Sequence, residues 1–124
     1  MLVFKNTFTS FSVNDLDHAN DFYAKVLGLP VTRTKEGLSV KAPNNSIFIY
    51  PKPNHQPATY TVLNFQVPDI DVAVDSLTKQ GVQFLQYEGY IKTDARGISR
   101  DNGPTIAWFT DPAGNILSVV ENKS

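Results

Sequence analysis

Cysteine is absent from the 124 residues, so disulfides, thiolate nucleophiles, iron–sulfur clusters and cysteine-based zinc sites are excluded. An excess of either charge is absent too: 11 Lys+Arg stand against 12 Asp+Glu, a formal net charge of -1. Such a chain offers no basic field for a phosphate backbone or an anionic membrane surface, which argues against nucleic-acid and membrane partners. No apolar run approaches the ~20 residues of a membrane-spanning helix. Met1 to Ser12 lacks a basic stretch followed by an apolar one, so the expected setting is soluble and cytoplasmic. What is present is a 41% apolar composition, enough for one domain with a sizeable core.

Comparing the chain with itself gives more than any local propensity. Val13-Asn-Asp-Leu-Asp-His-Ala-Asn-Asp21 reads against Val67-Pro-Asp-Ile-Asp-Val-Ala-Val-Asp75, with Leu16 facing Ile70 and Lys25 facing Lys79. A β-rich stretch precedes each copy, Thr7 to Val13 and Tyr60 to Val67, and a glycine follows each, Gly28 and Gly81. The repeat reads as strand then helix. Asn14 or Asp15, and Asp69, are placed to accept hydrogen bonds from the free N–H groups of a helix's first turn. Leu16, Ala19, Phe22, Tyr23, Val26 and Leu27 form one apolar stripe at helical spacing, and Ile70, Ala73, Val74 and Leu77 form the other. The two glycines suit the left-handed residue that ends such helices.

Short β-type runs follow each helix: Val31 to Thr34, Leu38 to Lys41 and Ser46 to Tyr50, then Val82 to Tyr87, Thr105 to Phe109 and Ile116 to Glu121. Turn residues separate them at Glu36-Gly37, Pro43-Asn44-Asn45 and Asp111-Pro112-Ala113-Gly114-Asn115. Each half is therefore strand, helix and three strands. Pro51 to Thr59, with three prolines, reads as the linker, and Glu88 to Pro104 as the one long polar loop.

Two such halves, with the phrases Asp15-Leu16, Phe22-Tyr23, Val26-Leu27-Gly28 and Trp108-Phe109-Thr110-Asp111-Pro112-Ala113-Gly114-Asn115, closely resemble the vicinal oxygen chelate superfamily of glyoxalases, bleomycin-resistance proteins and extradiol dioxygenases. The resemblance implies an α+β fold in which two βαβββ modules form curled mixed sheets around a concave cleft, with helices outside. It implies one domain over residues 1–124, with module one at about 1–55 and module two at about 56–124.

Metal-dependent members of that family hold a divalent ion on four side chains, usually His and Glu, from the first and last strands of each half. The matching positions here are Phe8, Val62, Ser118 and, in the first half, Ile49 or Tyr50. None is an imidazole or a carboxylate, so the expectation is a member without metal ligands and without a cofactor. Of the two histidines, His18 falls on the polar side of its helix and His55 in the proline-rich linker, where it can hang over the cleft. Asp15, Asp17 and Asp21, and their repeat-mates Asp69, Asp71 and Asp75, read as caps and solvated faces. No serine sits in a Gly-x-Ser-x-Gly elbow, and there is no Cys–His pair. Asp111 to Asn115 reads as a tight turn.

The strand period of two assigns faces. Phe8, Ser10 and Ser12 then share the cleft side, with Thr9, Phe11 and Val13 toward the helix. In the second half Val62, Asn64 and Gln66 face the cleft, with Leu63, Phe65 and Val67 opposite. With Phe48, Tyr50, Trp108 and Ser118 these give a lining of apolar walls and neutral hydrogen-bonding groups, as a small-molecule pocket needs. In the long loop, Lys92, Arg96 and Arg100 balance Glu88, Asp94 and Asp101. This is either a solvated loop or a lid whose Arg96 or Arg100 reaches an anionic ligand.

The reading that results is a metal-independent small-molecule binding protein of the glyoxalase/bleomycin-resistance type, with a sequestering or resistance role. Two alternatives stand beside it: a glyoxalase-like lyase or isomerase using Glu121, His55 or Tyr50 as general base, and a dimerisation module whose cleft its own aromatics fill. A two-fold homodimer is expected, since Met1-Leu2-Val3-Phe4 is an apolar start that water disfavours and the family's short members commonly pair.

Overall fold

Both copies of the repeat fold into the same succession of elements. The computed structural model describes residues 1–100 and 103–123. They divide into two units, Met1–Gln56 and a second from Pro57 onward. The first contains β1 (Thr9–Val13), α1 (Leu16–Asn20), β2 (Val31–Arg33), β3 (Leu38–Ala42) and β4 (Asn45–Pro51). The second contains β5 (Thr61–Val67), α2 (Ile70–Lys79), β6 (Ile98–Ser99), β7 (Ile106–Thr110) and β8 (Ile116–Glu121). Their sheets run β1-β4-β3-β2 and β5-β8-β7-β6. In each the first and last strands pair in parallel and the remaining pairs are antiparallel. This is the two-module βαβββ, α+β architecture that the repeat implies.

The helix starts follow from their aspartates. Asp15 Oδ1 accepts from the His18 amide at 3.0 Å and Asp69 Oδ1 from the Val72 amide at 3.2 Å. Gly28 and Gly81 close the helical segments at φ 71° and 96°. Beyond Asn20 the first helix widens into a π-helical segment, Asp21–Val26, in which the Leu27 amide donates to the Phe22 carbonyl at 2.9 Å. Tyr23, fully buried there, sits 6.1 Å from the Phe11 ring, so one face of β1 meets the helix as the alternation requires. Val13, Leu38, Val40, Ile47 and Ile49 complete that core. In the second unit Ile70 and Val74 of α2 are buried with Ala107, Phe109, Leu117 and Val119.

Two expectations about the second unit need correction. Val82 to Tyr87 is not a strand: it contributes one bridge, Phe84 to Phe109, and one amide bond, Leu85 to the Trp108 carbonyl at 2.8 Å. The strand that takes its place is β6, inside the stretch expected to be loop. A local turn explains this, since the Asp94 carboxylate accepts from the amides of Arg96 and Ile98 at 2.9 and 3.0 Å. Gly97 sits in that turn at φ 86°, and a Cβ there would come within 2.7 Å of Phe84 Cβ. The turn delivers Ile98 and Ser99 into the interior beside β7.

Candidate functional site

The first unit's sheet has one face against its helix and one open, and the register determines what the open face carries. Ser10 lies across from Phe48, Ser12 across from Tyr50, and Ser39 across from Phe48 on the other side. Side chains that are direct partners share a face, so three serines surround two rings. Phe48 and Tyr50 lie nearly parallel, with centroids 6.4 Å apart and planes 15° off. At one end of this face is a concavity of about 380 Å³ lined by Asn6, Thr7, Phe8, Ser39, Ser46 and Phe48. Phe8 and Phe48 are thus brought together. Neutral hydroxyls and aromatic carbon fill the centre, with Lys41 at the rim.

The proline-rich segment adds a group to this face. His55 Nδ1 lies 2.6 Å from Ser12 Oγ, both residues being half-buried. Two backbone bonds hold the segment there: the Lys52 amide donates to the Val13 carbonyl at 2.9 Å and the His55 amide to the Lys52 carbonyl at 3.0 Å. Neither this pairing nor the part played by Ser39 was among the sequence-based assignments. Ser39 was discoverable from the alternation Leu38-Ser39-Val40, but nothing in a linear pattern joins Ser12 to His55.

In the second unit Asn64, Ser118 and Trp108 lie side by side across β5, β8 and β7. The Ser118 hydroxyl, fully buried, donates to Asn64 Oδ1 at 2.5 Å. Gln66 lies two residues further along β5, exposed, and Tyr87 packs edge-on against Trp108 with centroids 5.4 Å apart. Val62 departs from simple alternation: the register passes from Thr61 opposite Ile116 to Leu63 opposite Leu117, leaving Val62 as an extra residue at a bulge.

Arg96 and Arg100 are turned to the other side of that unit. Arg96 bonds Asp71 and Asp75 at 2.6 Å each, and Arg100 bonds Asp71 at 2.7 Å. Both aspartates belong to α2, which packs on the Phe109–Leu117 face, so the two arginines are not gathered with Asn64 and Trp108. The hydrogen bonds from Arg96 and then Arg100 hold the Asp71 carboxyl below its ordinary pKa, and Asp71 and Asp75 raise that of Arg96. Asp101 lies outside the described residues. Glu121, a candidate base, accepts the Ile70 amide at 3.0 Å and so secures the start of α2. His18 is exposed beside Asp15 at 3.7 Å, and Asp111 accepts the amides of Ala113 and Asn115 at 2.9 Å, a self-sufficient turn.

Residues 7–119 match the family model of the Glyoxalase/Bleomycin resistance protein/Dioxygenase superfamily. The chain belongs to this superfamily. No curated protein sequence matches it. Among solved structures similar to it, a glyoxalase family protein from Bacillus anthracis is 22% identical with a TM-score of 0.71, covering 99% of this chain and 100% of that one. TnmS3, an antibiotic binding protein from Streptomyces sp. CB03234, is 22% identical with a TM-score of 0.67, covering 97% and 98%. UcmS2 is 20% identical with a TM-score of 0.72, covering 99% and 100%. At these identities the likeness concerns the fold.

The superfamily's metal positions do not fit a metal in this member. The registers refine the mapping: Asn64 faces Ser118 as Ser10 faces Phe48, so the first-half counterpart of Ser118 is Phe48, while Ile49 points into the core. Phe8, Phe48, Val62 and Ser118 supply one hydroxyl and three apolar side chains. Among the described residues no group of three or more His, Asp or Glu is placed to hold an ion. No helix among them is long and apolar enough to cross a membrane.

Proposed function

We propose that this superfamily member is a metal-independent binding protein for a small, neutral, partly aromatic molecule, with a sequestering or resistance role rather than a metal-dependent reaction. One observation carries the reading: the near-parallel Phe48 and Tyr50 rings, ringed by Ser10, Ser12 and Ser39. Flat π-surface with neutral donors and acceptors at its margin recognises planar hydroxylated ligands, whereas an anion would find no cation at the centre. That one structural relative, TnmS3, is an antibiotic binding protein supports a small-molecule ligand. Asn64, Gln66 and Trp108 of the second unit offer a comparable mixture. A two-fold homodimer and a cytoplasmic location belong to the same proposal.

The test is a thermal-shift and calorimetric screen of neutral planar polyphenols and glycosylated aromatic antibiotics, run beside elemental analysis of the purified protein. Binding with a stoichiometry near one per chain, lost in Phe48→Ala and in Tyr50→Ala and unaffected by chelators, is expected. Stoichiometric divalent metal whose removal abolishes binding would overturn the metal-independent reading, and no stabilisation by any ligand would favour the dimerisation module.

A further inference from the structure

Beyond reversible binding, the geometry points to an acyl-transfer site: we propose that Ser12 and His55 act as a nucleophile and its general base toward small activated esters seated on the Phe48–Tyr50 face. A serine hydroxyl becomes a useful nucleophile when a base lies within about 2.6–3.2 Å to take its proton. Here Ser12 Oγ and His55 Nδ1 are 2.6 Å apart. In the tautomer with its proton on Nε2, His55 presents a lone pair at Nδ1, and the Ser12 hydroxyl donates to it.

Position matters as much as distance, because an imidazole on a loose loop is aligned only part of the time. The segment carrying His55 is tied to the end of β1 through the Lys52–Val13 bond and turned back through the His55–Lys52 bond. Pro53 and Pro57 flank it and restrict its backbone. Ser12 itself sits inside a regular strand with Tyr50 directly across. Both members of the pair are half-buried, enough to limit water without sealing the site. The adjoining rings give an apolar acyl group a surface, and the Tyr50 phenol lies on the same face as a neutral hydrogen-bond donor.

The reaction balances with water alone as co-reactant. Ser12 Oγ adds to the ester carbonyl carbon while its proton passes to His55 Nδ1. The bond to the leaving oxygen breaks, and a phenolate departs with the electron pair, its charge matched by the proton His55 returns to solvent. Water then adds to the acyl-serine, giving a proton to Nδ1. The bond between the acyl carbon and Ser12 Oγ breaks, Oγ regains that proton, and the carboxylic acid is released. A bond that serves only to fasten the proline-rich segment to β1 would have the same length but none of this reactivity.

The experiment uses the full chain with p-nitrophenyl acetate and, separately, a fluorophosphonate probe. Nitrophenolate release by the unaltered protein should exceed that of Ser12→Ala and of His55→Gln by at least about tenfold, the lower end of what a positioned base contributes being larger still. The fluorophosphonate should add one mass label per chain, mapped by peptide sequencing to Ser12. Because that labelling needs no variant, a folding defect in either substitution leaves the question decidable. Equal rates in the unaltered protein and Ser12→Ala, or absence of label on Ser12, overturns the proposal. Neither result bears on reversible binding, which the ligand screen reads independently.

Discussion

The Ser118 hydroxyl, buried in the middle of the second unit's sheet, donates its hydrogen to Asn64 Oδ1 from the neighbouring strand. The bond separates two residues that a strand alternation treats alike. Both residues are exposed, but Asn64 has a polar partner in the buried Ser118, whereas Gln66 lies across from the apolar Val120.

Asn64→Leu and Gln66→Leu should therefore part company. The first leaves a buried hydroxyl without its acceptor, a loss of about 1–3 kcal/mol, and should lower the melting temperature by several degrees. The second should change stability by less than about 0.5 kcal/mol, as surface substitutions do. Thermal denaturation and calorimetry on the two variants check this, and equal melting temperatures would show that the Asn64–Ser118 bond contributes nothing.

Glu121 should act on stability through α2. Its carboxylate takes the Ile70 amide, while Asp69 takes that of Val72, so two of the first-turn donors depend on two acids. Glu121→Ala should cost about 1 kcal/mol, in the range of a lost helix cap. The same substitution should leave nitrophenyl ester turnover unchanged, since the Glu121 carboxylate is engaged with the Ile70 amide at the start of α2. Urea denaturation measures the first and the colorimetric assay the second.

Acid should dissolve the Arg96–Asp71–Arg100 cluster. Asp71 titrates below its ordinary value because Arg96 and Arg100 bond its ionised form. A depressed pKa stabilises the fold above the ordinary aspartate value of about 3.9 and loses that contribution as pH falls through the folded value. The unaltered protein should melt slightly above Asp71→Asn at pH 7, the gap closing toward pH 3 and also in high salt, because the pairs are half-exposed and screened. Melting curves across that range test the sign.

Association should depend on the first residues of the chain. Leu2 and Phe4 are 83% and 63% exposed in the single chain, apolar surface that a partner subunit would cover. Light scattering at micromolar concentration should give the mass of two chains, and Leu2→Ser with Phe4→Ser should shift it toward one. A concentration-independent mass of one chain for the unaltered protein would refute the dimer.

The parts of this molecule legible in its sequence are those governed by neighbours along the chain. Asp15 and Asp69 announce helix starts because a cap acts over three residues, and the stripe from Leu16 to Leu27 announces a buried face because helical geometry is periodic. Phe11 and Val13 are assignable to the helix side because side chains alternate along a strand. Illegible were contacts between distant segments: Arg96 and Arg100 reach Asp71 across 25 and 29 residues, and His55 reaches Ser12 across 43. The strand at Ile98 is illegible because the few apolar residues of its polar stretch, Tyr90, Ile91 and Ile98, do not alternate, and the bulge at Val62 because an inserted residue leaves no mark on composition.

In each module the opening strand lies beside the closing one, β1 with β4 and β5 with β8. A chain emerging from the ribosome can form its helix and its later hairpin early, since those contacts are local, but the opening strand has no neighbour until the module's last residues arrive. Pairing of Thr61 with Ile116 closes a loop of more than fifty residues, the slow kind of contact in folding kinetics. All strands of the first module are present once Pro51 has been made, whereas the second module lacks a partner for its opening strand until Ile116–Glu121 has been made.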